Sequence, residues 1–238
     1  MYNQDMSAGS DLPSFVDPVG LFPLPHVVLF PGATLPLQIH EPRYRTMVAD
    51  ALADEAIIAL ALLRPGYEPY YHTNLAEIYP VVCVGRIREY IQLPDSFYFI
   101  NLLGLCRARV RQEDRNGEYR LAMLDPMIWP DSGIEVDGQY AARESFRLML
   151  SSSVFDRVDE IDRIRAVVNS SASLGQIVDT LASALLPADA VEVKQRMLEE
   201  INVLRRAETL VSELGTVHRV LETRQRSQSN WPRFGSMN

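Results

Sequence analysis

Beyond its carboxylates and arginines, the 238-residue chain offers four histidines, two cysteines and a single lysine for acid–base, nucleophilic or metal chemistry. His26, His40, His72 and His218 are scattered, HExxH is absent, and no histidines stand at metal-ligand spacing. Lys194 sits in an amphipathic helical pattern, where a lysine marks a solvated face, so a Ser-Lys dyad has one poor candidate. The scarcity of lysine also removes GxxxxGK[ST], the loop whose backbone and lysine cradle nucleotide phosphates, and GxSxG is missing too. Cys83 and Cys106 lie in alternating apolar runs and read as buried reduced thiols. Two cysteines without a CxxC make no disulfide framework. The residue types therefore predict no catalytic group, no metal and no cofactor.

Binding chemistry has better material. Arg86 and Arg88 share one face of a strand-like segment, and Arg107, Arg109 and Arg111 share one face of another. Paired, these segments make a basic strip suited to an anion, an acidic peptide or RNA. The competing reading is a solvated sheet face, because Glu89, Glu113, Asp114 and Glu118 interleave with the arginines. A net charge of −8 further disfavours nucleic acid and anionic membranes. The second candidate is aromatic: Tyr67, Tyr70 and Tyr71 in a loop, and Phe97 and Tyr98 at the start of a strand. Such side chains give broad contact area to a polypeptide. Alternatively, the tyrosines clamp their own loop, and alternate residues of 97–99 point inward.

The elements that must carry these residues follow from periodicity. Val27 to Phe30 and Leu35 to Ile39 read as short strands about a Pro31-Gly32 turn. Pro42 suits the first position of a helix whose stripe is Tyr44, Met47, Val48, Ala51 and Leu52. Ala56 to Leu63 is apolar almost throughout and reads as a strand buried on both faces. Ile78 to Leu93 and Phe97 to Arg111 form a long hairpin turning at Pro94-Asp95-Ser96, and Asn116-Gly117 turns into a further strand, Tyr119 to Leu124.

After Pro130 and the linker-like Asp131-Ser132-Gly133, β signals stop. Helical stripes occupy about 138–152 and 161–168. Ser173 with Gln176 forms a capping box before the stripe Leu174, Ile177, Val178, Leu181, Ala182 and Leu185. Asp189 with Glu192 repeats the capping signal, and a long final helix continues through Leu221. The order predicts an α+β fold: a small closed or half-closed β-barrel with one inserted helix, then an α-helical bundle. The boundaries are a tail at 1–20, the barrel at 21–130, the bundle at 131–224 and a tail at 225–238. No basic start leads into an apolar run, and no apolar run reaches the about eighteen residues that span a bilayer, so a cytoplasmic protein is expected.

One stretch carries a family signature. Pro23-Leu24, Val27-Val28, Phe30-Pro31-Gly32 and Pro36-Leu37, followed by the helix from Pro42, resemble the "PL-x-x-VV-x-FPG-x-x-x-PL" opening of the Lon protease N-terminal domain. Gly104-Leu105-Cys106-Arg107 resembles that family's "GL-x-R" strand, and the helices at 173–186 and 189–221 resemble its helical subdomain. The resemblance implies a PUA-like barrel and a non-catalytic role in recognising polypeptides, unfolded or degron-bearing. It also implies a chain without the ATPase and protease modules, working with a separate ATP-dependent protease. Homo-oligomerisation is left open.

Overall fold

The barrel is built from strands that prolines and glycines start and stop. The computed structural model describes Phe15 and residues 17–94, 97–127 and 136–229, with side chains as far as residue 223. The expected tails, the Pro94-Asp95-Ser96 turn and the Asp131-Ser132-Gly133 linker fall wholly or partly outside these residues.

The first half contains β1 (Val19–Leu24), β2 (Thr34–Ile39), α1 (Pro42–Leu52), β3 (Ile57–Leu62), β4 (Val81–Gln92), β5 (Tyr98–Asp114) and β6 (Arg120–Pro126). Two expectations are corrected here. Val19 and Gly20 belong to β1 rather than to a tail, and Val27 to Phe30 is a loop rather than a strand. Pro25 and Pro31 flank that loop without an N–H to offer a ladder. The Phe30 carbonyl accepts instead from Ala33 N at 3.1 Å across the Pro31-Gly32 turn. Leu29 and Phe30 are buried all the same. The first hairpin arm also starts later than expected, at Val81, and Ile78 contributes only an isolated bridge to Leu63.

Strand pairing closes a ring. β5 pairs antiparallel with β4, β4 with β3, β3 parallel with β1, β1 with β6, and β6 returns to β5. A parallel pair needs a crossover, and β2 with α1 supplies it between β1 and β3. The ring interior holds Leu21, Ala59, Ala61, Val82, Val84, Cys106, Ala108, Ala122 and Leu124, which come from all five ring strands and from no helix. These side chains are small enough to fill a narrow barrel. The outward face of the same strands, with Phe22, Ile58, Leu60, Val81 and Cys83, joins a second core built with α1 and the helical half.

That half comprises α2 (Val136–Leu150), a 3-10 turn (Ser153–Arg157), α3 (Ile161–Asn169), α4 (Leu174–Leu185), α5 (Val191–Glu199) and α6 (Val203–Ser229). Ser173 and Gln176 form the expected capping box. The Asp189 box is not made: Ala190 is the N-cap of α5, without a side-chain bond. The expected single helix from 189 to 221 is two helices. Asn202 Oδ1 accepts from Leu204 N at 3.0 Å and Arg205 N at 3.2 Å, so it caps a new start for α6.

Candidate functional site

Where β4 and β5 run past the ring, the sheet changes its environment. β3 pairs β4 only as far as Arg86, so beyond it β4, β5 and β2 form a three-stranded flap. One face of the flap carries Ile39, Tyr98, Ile100 and Leu102, all buried in the core shared with α1. The other face continues the ring-lining side, and none of the described residues fills it. Its rows, read across the strands, are Gln38–Phe99–Ile91 and Pro36–Asn101–Glu89. Ile91 is 64% exposed and Phe99 41% exposed. With Pro36 they line a shallow groove of about 390 Å³. Asn101 Nδ2 donates to Glu89 Oε2 at 2.9 Å, fixing a polar border to the apolar row. Exposed apolar side chains gathered on one uncovered sheet face are the mark of a contact surface.

The predicted aromatic residues divide between structure and surface. Tyr98 is buried, because the strand alternation that exposes Phe99 turns Tyr98 inward. Phe97 packs edge-on against His40, ring centroids 4.9 Å apart, beneath the Arg45 guanidinium. Tyr67 and Tyr71 pack against the mouth of the ring, and Tyr71 faces Tyr44 at 6.5 Å. Burial, then the neighbouring Tyr44, hold the Tyr71 hydroxyl well above the usual phenol range. Arg43 Nη2 donates to the Tyr71 carbonyl at 2.5 Å, which ties the loop to α1. Tyr70 remains exposed. None of the three loop tyrosines lines the flap groove.

The arginine strip does not assemble: Arg86 alternates with the buried Ile87 and lies on the sheet face opposite that of Arg107, whose cross-strand partner is Cys83. Arg107 is buried and donates through both terminal nitrogens to Asp179 of α4. Its Nε donates to the Leu198 carbonyl at 3.0 Å. The reason lies across the strand: the face expected to be solvated is the face on which the helical half docks. Asp179 also takes Arg206 of α6 at 2.6 Å, and Gln195 Nε2 of α5 donates to the Val81 carbonyl at 3.0 Å. Of the remaining four, Arg88, Arg109 and Arg111 are exposed and Arg86 is partly buried. Arg111 pairs with Asp125 at 3.4 Å.

Of the nucleophilic side chains, both thiols are buried. Burial pushes the Cys106 thiol up to about 11 and the Cys83 thiol higher still, so both stay protonated at neutral pH. Lys194 is half-buried, and burial lowers its pKa, with Asp189 opposing. Ser152 Oγ and His218 Nε2 lie 2.9 Å apart, and Ser152 Oγ also accepts from Val154 N as the N-cap of the 3-10 turn. Among the described residues no His, Cys, Asp and Glu side chains are grouped to hold a metal, and no helix is long and apolar enough to cross a membrane.

The family model for the ATP-dependent protease La (LON) substrate-binding domain matches residues 18–216. The chain belongs to the Lon substrate-binding domain family. Similar curated proteins include the Lon protease of Anaeromyxobacter dehalogenans, 24% identical over 204 residues, covering 85% of this chain and 23% of that protein. Lon protease 2 of Sorangium cellulosum is 27% identical over 220 residues, covering 90% and 26%. The chain thus spans about a quarter of the length of the curated relatives it matches. Two solved structures share the fold. The N-terminal domain of Mycobacterium avium complex Lon protease superposes with a TM-score of 0.65 at 16% identity, covering 84% of this chain and 98% of that one. The Lon N-terminal domain protein from Xanthomonas campestris gives 0.58 at 23% identity, covering 83% and 98%.

The family signature has a physical purpose in this Lon domain. Gly32 has φ of +78°, which only glycine adopts without strain, and its N–H reaches the Gly104 carbonyl at 2.9 Å. A Cβ on Gly104 would lie 2.2 Å from the Phe30 carbonyl oxygen. The Phe30-Pro31-Gly32 turn therefore seats directly on the backbone of β5 and delivers β2 to the flap. Sequence reasoning overlooked Ile91, Asp179 and Arg206. Period-two alternation around the inward Tyr98 marks Ile91 and Phe99, whereas Asp179 shows only as an acid flanking the apolar stripe of α4.

Proposed function

We propose that the chain is a non-catalytic polypeptide-binding module, and that the open face of the flap is where it takes hold of exposed apolar segments. The observation that carries this reading is the uncovered row of Phe99 and Ile91 beside Pro36, on a domain of the Lon substrate-binding family. A segment lost from a folded core presents apolar side chains that this row can desolvate. Tyr70 and the rim of the tyrosine loop give a secondary contact surface. An adaptor or quality-control role follows, in which the chain holds such segments in the cytoplasm for a separate ATP-dependent protease.

The test is fluorescence anisotropy with a labelled, permanently unfolded model protein. Wild type is expected to bind, and the pair Ile91→Asp with Phe99→Asp to weaken binding at least about tenfold, the loss typical of a central contact. Arg109→Ala with Arg111→Ala should leave it unchanged. Wild type failing to bind, or binding that the aspartate pair leaves intact, would reject the site.

A further inference from the structure

Resting on that polypeptide-binding reading, we propose how the segment is held: it adds to the sheet as an extra strand along the free edge of β4 at Tyr90 and Gln92. The register decides which backbone groups are available. Leu93 N donates to the Phe97 carbonyl at 2.9 Å, so Leu93–Phe97 is a hydrogen-bonded pair. Alternation makes Ile91–Phe99 and Glu89–Asn101 the next such pairs, and Tyr90 and Gln92 turn their N–H and C=O away from β5. β3 has already ended, since its last backbone bond to β4 is Ile87 N to the Ala56 carbonyl at 2.8 Å. Among the described residues no strand, helix or loop pairs with that side of Tyr90 and Gln92.

The opposite edge of the flap is different. There Gly104 N donates to the Ala33 carbonyl, so Thr34, Pro36 and Gln38 face outward. Pro36, in the middle, has no N–H, and the β2 edge is blunted in the way sheets are protected from strand addition. The β4 edge has no proline between Arg88 and Gln92, and all five of these residues are exposed. Two donors and two acceptors at alternate positions match an extended polypeptide and nothing smaller.

Side-chain parity then defines the ligand. In antiparallel addition the residue opposite Tyr90 turns its N–H toward β4, and its neighbours place their side chains on the open face beside Ile91 and Phe99. The occupant is an extended segment with apolar side chains at alternate positions, the pattern of a strand torn from a folded core.

The experiment uses the full chain and a labelled peptide of alternating valine and threonine. Two further versions are N-methylated, one on every threonine and one on every valine. The unmethylated peptide should bind, threonine methylation should abolish binding, and valine methylation should leave it within about twofold. The reverse pattern would also support strand addition, in parallel orientation. Equal tolerance of both versions would overturn the proposal while leaving polypeptide binding in place. Failure of the unmethylated peptide together with an unfolded model protein would instead remove the reading beneath it.

On the protein side, Tyr90→Pro deletes an outward donor without touching the β5 ladder. It should weaken peptide binding about tenfold relative to Tyr90→Ala, with Gln38→Pro near wild type. Loss with Gln38→Pro alone would place the ligand on the wrong edge. The methylated peptides keep the question decidable should Tyr90→Pro fail to fold. A wild-type chain that sediments as a dimer, and turns monomeric with Tyr90→Pro, would put a second copy on this edge and overturn the assignment.

Discussion

Arg107 of β5 closes on Asp179 of α4 through two parallel hydrogen bonds of 2.7 and 2.6 Å, both side chains buried. Asp179 also receives Arg206 of α6, so one carboxylate ties the barrel to two helices and stands between two guanidinium groups. Bidentate pairing of this kind fixes orientation as well as energy.

The network predicts an order of damage. Asp179→Asn leaves two buried cations facing each other and should cost about 3–5 kcal/mol. Arg107→Met leaves the Asp179–Arg206 pair intact and should cost less. Urea unfolding monitored by circular dichroism measures both. Equal costs would show that Arg206 does not share the charge of Asp179.

Gly104 should tolerate no side chain. The atoms that a Cβ would meet are the carbonyl oxygen and carbon of Phe30, at 2.2 and 2.9 Å, and backbone gives way less readily than the end of a flexible side chain. Gly104→Ala is expected to cost about 1–3 kcal/mol. Thermal unfolding would register this as about 2–4 °C for each kcal/mol in a chain of this size. An unchanged Tm would mean that the Phe30-Pro31-Gly32 turn can lift off β5.

Two capping signals that look alike in sequence should behave differently. Ser173→Ala removes a cap that is made and should cost about 1 kcal/mol. Asp189→Ala removes one that is not, and should stay within about 0.5 kcal/mol of wild type. Unfolding free energies of the two variants, measured side by side, test the assignment.

Alkaline pH should weaken the fold. Burial raises the Cys106 thiol from 9.0 to about 11, and the Tyr44 and Tyr119 hydroxyls from 10.0 to about 12. Each group is neutral in the folded state while the unfolded chain already ionises, so its contribution is complete below its unfolded pKa and is lost as pH rises through the folded value. Cys83 and Tyr71 act in the same direction, and Lys194, lowered by burial, acts against them. The urea midpoint should therefore fall above pH 9, with Cys106→Ala flattening the first part of the decline and Tyr44→Phe the later part. A midpoint constant from pH 8 to 11 would contradict the burial of these groups.

Most of the architecture was legible in local patterns. The Pro42 helix, the buried strand after it and the Ser173 cap each depend on neighbours within a few residues and formed where expected, and the long hairpin formed with a first arm that starts at Val81. Val27 to Phe30 misled because an apolar, β-branched run reads as a strand whether or not a partner strand lies beside it. The site was harder to read. Phe97, Tyr98 and Phe99 are alike in composition, and the face of each depends on which side of β5 meets the core.

That division has one physical cause. Chain-local chemistry, namely proline geometry, glycine turns, caps and apolar period, specifies the α+β order, the family signature and the poverty of nucleophiles and ligands. Partners distant in sequence specify the rest. Arg107 and Arg109 sit two residues apart on one strand face, yet one is buried and the other exposed, because α4 brings Asp179 to the first and nothing to the second. The open flap arises in the same way: β3 begins only at Ile57, opposite Arg86, while β4 and β5 run on past that point. No pattern within β4 or β5 records where a third strand ends.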